Sequence, residues 1–115
     1  MNDPRLSDGL ARIRIRFVEE LTHRFDRMAQ LRPELNDPAT AEPALIEIGK
    51  ISHKIAGTAA TLGFPTLGSE AAEIDDHVAN YSAAAEESGR DVREKIDQML
   101  ETIEAVLREG NNSSV

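Results

Sequence analysis

The sequence predicts an all-α protein, an antiparallel up-and-down four-helix bundle. Three observations lead to this prediction: apolar residues recur at helical spacing in four long segments, proline and glycine separate the segments, and no strand-like alternation is present. The composition agrees, because 40% hydrophobic residues with one Tyr, three Phe and no Trp give an aliphatic core suited to helix packing. A chain of 115 residues is expected to form a single domain.

The first two helices are predicted over about residues 7–32 and 42–62, and proline residues mark the loop between them. Ser7 or Asp8 is the expected N-cap of the first helix, and Gly63 is placed to end the second. The predicted inward positions are Leu10, Ile13, Phe17, Leu21, Met28 and Leu31, followed by Leu45, Ile48, Ile51, Ile55, Ala59 and Leu62.

The third helix is predicted from Pro65 to about Ala84, because proline suits a first helical turn. Gly89 is expected to interrupt the helical pattern, so that the fourth helix runs over about residues 90–108. We expect residues 7–109 to be ordered and residues 110–115 to form a flexible tail. The predicted inward positions are Leu67, Ala71, Ile74, Val78 and Tyr81, followed by Val92, Ile96, Met99, Ile103 and Val106.

Charge and composition exclude several classes of function. A net charge of −8 argues against nucleic acid as a partner. No apolar run approaches the roughly 18–20 residues of a membrane span, and the N-terminus lacks the apolar segment of a secretory signal. The chain has no cysteine, which excludes disulfides. We therefore expect a cytoplasmic protein without a membrane partner.

His53 is the strongest candidate for a functional residue. At about 100° of rotation per residue, its side chain lies about 140° from the centre of the apolar stripe of its helix, so it is expected to face solvent. The neighbouring turns carry small residues, including Gly49 and Gly57. Glycine inside a helix costs about 0.5–1 kcal/mol relative to alanine, which suggests that another molecule must approach the imidazole.

No charged residue occurs between Ile55 and Ser69, although a surface helix normally carries charges on its outer face. This stretch predicts a docking patch for a partner protein. The alternative interpretation is that the helix is central and buried on all sides.

The segment around His53 resembles the signature of histidine-containing phosphotransfer (HPt) domains. That signature is a histidine, any residue, an aliphatic residue, usually a basic residue, glycine, small residues and a later Leu/Phe-Gly. Ala56 departs from it, because this family usually has a basic residue there. The matching residues are His53, Ile55, Gly57, Thr58, Ala59, Leu62, Gly63 and the apolar Leu67.

The resemblance implies a phosphorelay intermediate in which His53 carries a phosphoryl group. Its expected partners are a response-regulator receiver domain and a sensor or hybrid histidine kinase. The chain itself is expected to be a monomeric carrier and not an enzyme, with no ATP-binding kinase domain and no cofactor of its own. The Mg²⁺ needed for transfer would belong to the receiver.

The residues expected to assist His53 are a cation and a carboxylate. Lys50 lies about 60° from His53 around the helix and Lys54 about 100°, so Lys50 is the first candidate to offset phosphate charge. Chemotaxis-kinase members of the family carry a Glu about 22 residues after the histidine to orient its ring, which corresponds to Asp75; Glu73 and Asp76 are the alternatives. The expected docking surface comprises Ile46, Gly49, Ala56, Gly57, Ala60 and Phe64.

Two rival interpretations remain at this point. One is a helical interaction bundle that docks a receiver without transfer, which the Ala56 departure makes conceivable. The other is a metal-binding bundle, because Glu20 and His23 have the Glu-x-x-His spacing of di-iron proteins. The sequence contains no second copy of that motif. His23 and His77 are interpreted as surface or boundary histidines.

Overall fold

The computed structural model describes the backbone of residues 4–80 and 86–112 and the side chains of residues 8–80 and 89–109. It contains four α-helices: α1 (Pro4–Leu31), α2 (Ala41–Ala59), α3 (Pro65–Ala79) and α4 (Glu86–Asn112), with a short 3₁₀ helix at Arg32–Asn36. The described residues include no strand. Helix α1 packs on α2 and α4, and α3 packs between α2 and α4. The predicted all-α four-helix bundle is therefore confirmed.

The core is aliphatic and lies along the bundle axis, as the spacing of apolar residues predicted. On α1 the buried positions are Phe17, Leu21, Met28 and Leu31, and on α2 the predicted stripe is buried except for Ile51, which is half-buried. Helix α3 buries Leu67, Ala71 and Ile74, and α4 buries all five of its predicted positions.

The prediction failed at the start of α1. The helix begins at Pro4, so Ser7 and Asp8 lie inside it and neither is its N-cap. Leu10 and Ile13 were expected to face the core, yet they are 46% and 51% exposed. Helix α1 is about 42 Å long and α2 about 29 Å at 1.5 Å per residue. The guanidinium of Arg14 would lie 3.6 Å from a Cβ at Gly63, in the turn that follows α2, so the turns of α1 before Arg14 extend past the end of α2.

Other helix ends also differ from the prediction. Gly89 does not interrupt the pattern, because α4 begins at Glu86 and continues to Asn112. Helix α3 ends at Ala79, five residues earlier than expected, and the predicted inward Tyr81 lies outside the described residues, as do residues 113–115 of the predicted tail.

The turn between α2 and α3 depends on one glycine. Gly63 has φ of +94°, a left-handed conformation that other residues adopt at a cost. This conformation lets the backbone N–H of Phe64 donate to the carbonyl of Ala59 at 2.8 Å, and Pro65 then begins α3. The short turn brings α2 and α3 together as antiparallel neighbours, and the candidate site lies on the surface they share.

Candidate functional site

His53 lies on the solvent-facing side of α2, with its side chain 75% exposed. The opposite side of the helix is held by the core through Ile48, Ile55 and Ala59. Ser52, the preceding residue, is completely buried and its hydroxyl donates to the carbonyl of Ile48 at 2.8 Å. The backbone that carries His53 is therefore fixed while the imidazole remains accessible, as the sequence predicted.

The carboxylate of Asp75, on α3, lies 2.8 Å from Nδ1 of His53. A carboxylate only accepts hydrogen bonds, so Nδ1 must carry the proton in this pair. In a neutral imidazole the other nitrogen, Nε2, then has a free lone pair. Asp75 is 38% exposed, so the hydrogen bond sits at the edge of solvent and orients the ring from one side.

The two alternative carboxylates take other positions. Glu73 accepts a hydrogen bond from Nζ of Lys95 on α4 at 2.9 Å, and this contact lowers the pKa of Glu73 below its ordinary value. Asp76 is exposed, and its backbone carbonyl accepts the side-chain amide of Asn80 at 2.8 Å. Among the described residues, Asp75 is the carboxylate that reaches His53.

A groove of about 420 Å³ adjoins the imidazole between α2 and α3. Six residues predicted for the site line it, and two others, Val78 and Ala79, complete its wall. The predicted residues are Ile46, Gly49, Lys50, His53, Lys54 and Asp75.

Both candidate lysines are exposed at this groove. Neither forms an ion pair with a carboxylate among the described residues, although Lys50 is close enough to Glu47 to help lower the pKa of that carboxyl. The larger cause of the lowered Glu47 pKa is the guanidinium of Arg27 on α1, which donates to the Glu47 carboxylate. Within the part of the chain that the structure describes, neither ammonium group is therefore held in a direct ion pair.

Gly49 was expected on the docking surface, and the structure corrects this expectation. It is buried at the floor of the groove, where α3 crosses it. A Cβ atom at this position would lie 2.8 Å from Cγ1 of Val78, closer than real Cβ contacts come. The residue is thus a point of close helix packing.

The remaining predicted docking residues lie outside the groove, towards the C-terminal end of α2. Gly57 and Ala60 are exposed, and a Cβ on Gly57 would meet no atom within 4 Å. Ala56 and Phe64 are half-buried against the core, where the ring of Phe64 stacks on Phe17 with centroids 5.6 Å apart. Only part of the predicted surface is therefore open.

Val78 and Ala79 were not predicted as site residues. Val78 was predicted to belong to the core stripe of α3. Ala79 was given no role because its side chain has no reactive group. Once Asp75 is placed on α3, residues three and four positions later share its face, and that spacing could have identified both.

The other histidines are apart from this cluster: His23 is exposed on α1 and His77 is half-buried on α3. Over the described ranges, no group of three or more His, Asp or Glu residues is arranged to hold a metal ion. Within the same ranges, the helices lack a segment with the length and apolarity needed to cross a membrane.

Comparison with known proteins identifies the family. The family model of the Hpt domain matches residues 12–108, which include every residue of the site. No match was found among curated proteins or among solved structures. The exposed histidine on α2, its carboxylate partner on α3 and this match agree, and the chain belongs to the Hpt domain family, the histidine phosphotransfer modules that act as intermediates in phosphorelays.

Proposed function

We propose that His53 accepts a phosphoryl group from the aspartyl phosphate of a receiver domain or from a histidine kinase, and passes it to the aspartate of a response-regulator receiver. The observation that carries this proposal is the hydrogen bond between Nδ1 and Asp75 on an imidazole that is 75% exposed. It leaves Nε2 as the free nucleophile, directed away from the partner that orients the ring.

The transfer exchanges one bond for another. The Nε2 lone pair attacks the phosphorus of the acyl phosphate, an N–P bond forms, and the P–O bond to the donor aspartate breaks to release its carboxylate. Nδ1 keeps its proton, so the phosphorylated ring gains positive charge, which the Asp75 carboxylate offsets. In the return step a receiver carboxylate oxygen attacks phosphorus and the N–P bond breaks.

The lysines beside His53 supply the charge that the phosphoryl group requires. Lys50 is the preferred cation because it lies about 60° from His53 around the helix, while Lys54 lies about 100° away. Either would substitute for the basic residue that Ala56 replaces. The Mg²⁺ ion for the reaction is proposed to come with the receiver.

The receiver is proposed to dock over two adjoining surfaces. One is the groove edged by Ile46, and the other is the uncharged face that carries Gly57 and Ala60. The absence of charge between Ile55 and Ser69 leaves no fixed charge to be desolvated there. Small side chains at this face would allow the receiver loops to reach Nε2.

Incubation with radiolabelled phospho-receivers and kinases tests the proposal. We expect label on the wild-type chain and none on His53→Gln, with both proteins giving the same melting curve because position 53 is exposed. The rival function, docking without transfer, would give receiver binding in a pull-down or titration with no label on either chain.

A further inference from the structure

Helices α2 and α3 approach each other unusually closely at two points, each occupied by a glycine. On α2, a Cβ at Gly49 would lie 2.8 Å from Cγ1 of Val78. On α3, a Cβ at Gly68 would lie 3.2 Å from both Cβ and the backbone nitrogen of Ala60. The distance at Gly49 is one that real Cβ atoms essentially never show, and the distances at Gly68 are tighter than ordinary van der Waals contact, so an added methyl group would strain the first approach severely and the second mildly.

The two contacts bracket the hydrogen bond between His53 and Asp75. Gly49 lies four residues before His53, and its partner lies three residues after Asp75. Gly68 lies seven residues before Asp75, and its partner lies seven residues after His53. On antiparallel helices these offsets place one contact about one turn to one side of the pair and the other about two turns to the other side.

We propose that Gly49 and Gly68 are positioning residues, which set the separation of α2 and α3 so that Asp75 can reach Nδ1 of His53. This inference rests on the proposed function insofar as ring orientation serves phosphotransfer. Asp75 needs this help because its carboxylate extends only one methylene from the backbone. A longer carboxylate would tolerate a wider gap between the helices.

Val78 cannot make room for a methyl group at position 49. Its Cβ, Cγ1 and Cγ2 would lie 3.1, 2.8 and 3.2 Å from the added atom. Rotation about the Cα–Cβ bond moves the two γ carbons but leaves Cβ in place, and β-branched side chains are stiff within a helix. The helices would have to separate by roughly half an ångström or more to restore normal contact.

A displacement of that size matters at the site because the hydrogen bond is short. The Nδ1 to Oδ2 distance is 2.8 Å, and N–H···O bonds weaken beyond about 3.2 Å. The Asp75 side chain has only two torsions, so its carboxylate can follow the His53 ring over only a short distance when the helices separate. Among the glycines whose surroundings are described, Gly49 and Gly68 alone would bring a Cβ closer than 3.4 Å to a neighbouring atom, whereas Gly57 and Gly9 have open space.

The test is Gly49→Ala, read by ¹⁵N NMR of the His53 ring across a pH series, with the tautomers compared at the alkaline end. In the wild type we expect Nδ1 to be protonated, and in the variant we expect a shift towards the Nε2–H form. The phosphotransfer rate should fall roughly two- to fivefold, no further than loss of the Asp75 contact itself would lower it. Gly9→Ala, an added methyl group in open space on α1, serves as the control and should change neither measurement.

Two second-site changes should restore the site by different routes. Val78→Ala removes the atoms that collide with the new methyl group, and Asp75→Glu lengthens the carboxylate by about 1.5 Å, enough to span the wider gap. Each is expected to return the Gly49→Ala protein to the Nδ1–H form and to a faster transfer rate. Gly68→Ala should act in the same direction with a smaller effect, and replaces Gly49→Ala if that variant does not fold.

An unchanged Nδ1–H signal and transfer rate in folded Gly49→Ala and Gly68→Ala would overturn the inference. Failure of both second-site changes to restore the signal would also overturn it. The NMR measurement needs no partner protein, so it separates this inference from the proposed function. A wild type with protonated Nδ1 that takes no phosphoryl group from any receiver or kinase would refute the proposed function alone.

Discussion

Gly57 is the position at which fold stability and partner docking should respond in opposite directions. It lies inside α2, is exposed, and has open space where a Cβ would be. Replacing glycine by alanine at such a helical position stabilises a protein by about 0.8 kcal/mol. With an unfolding entropy of about 2.1 cal/mol/K per residue over 115 residues, Gly57→Ala should raise Tm by about 3 °C.

Gly57→Gln should also keep or raise the melting temperature, because glutamine is a good helix former and the position faces solvent. Its long side chain would stand one turn from His53, on the face where the receiver is proposed to dock. The phosphorus must come within about 3.5 Å of Nε2 before reaction. We therefore expect Gly57→Gln to lose at least about tenfold in transfer rate, equivalent to about 1.4 kcal/mol in the barrier.

Thermal melts and transfer kinetics on the wild type, Gly57→Ala and Gly57→Gln decide the matter. Ala29→Gln, which adds the same side chain at an exposed position of α1, is the matched control and should transfer normally. Normal transfer by Gly57→Gln would refute docking over this face. A fall of several degrees in Tm for Gly57→Ala would refute the open environment assigned to the glycine.

Three further predictions concern charges around the site. Lys50→Ala should slow transfer by about tenfold and Lys54→Ala by less, and the reverse order would assign the cation to Lys54. Asp75→Asn should slow transfer about fivefold, a modest effect because the pair is partly exposed, and an unchanged rate would remove Asp75 from the mechanism. The lowered pKa of Glu73 implies stability that is present above the ordinary carboxyl pKa of 4.5 and is lost as pH falls through the folded value. Glu73→Gln should therefore flatten the acid side of a Tm-against-pH curve, and an identical curve would show that the ion pair with Lys95 adds nothing.

The fold followed from the sequence because helical spacing identifies which side of each helix is apolar. Helical spacing does not indicate how far a neighbouring helix extends, and for this reason Leu10 and Ile13 were wrongly assigned to the core. Helix ends were predicted less well. Gly89 is accommodated near the start of α4, since a single helical glycine costs only about 1 kcal/mol and α4 is anchored by its buried residues.

The site was predictable where it depended on α2 alone. The exposure of His53 follows from its rotation away from the apolar stripe of α2. Asp75, on α3, was predicted only through the resemblance of the His53 segment to the family signature. Gly49 was misjudged because it lies about 110° from the centre of the stripe of its own helix, where either solvent or a second helix could cover it. Only the packing of α3 through Val78 decides between them.

The most direct test of the account is to map the phosphoryl group after incubation with labelled phospho-receivers and kinases. We expect one phosphohistidine at Nε2 of His53, labile in acid and stable in base, and no label on a folded His53→Gln protein. Label that persists in His53→Gln, or that maps to His23 or His77, would contradict the assignment of the phosphoacceptor.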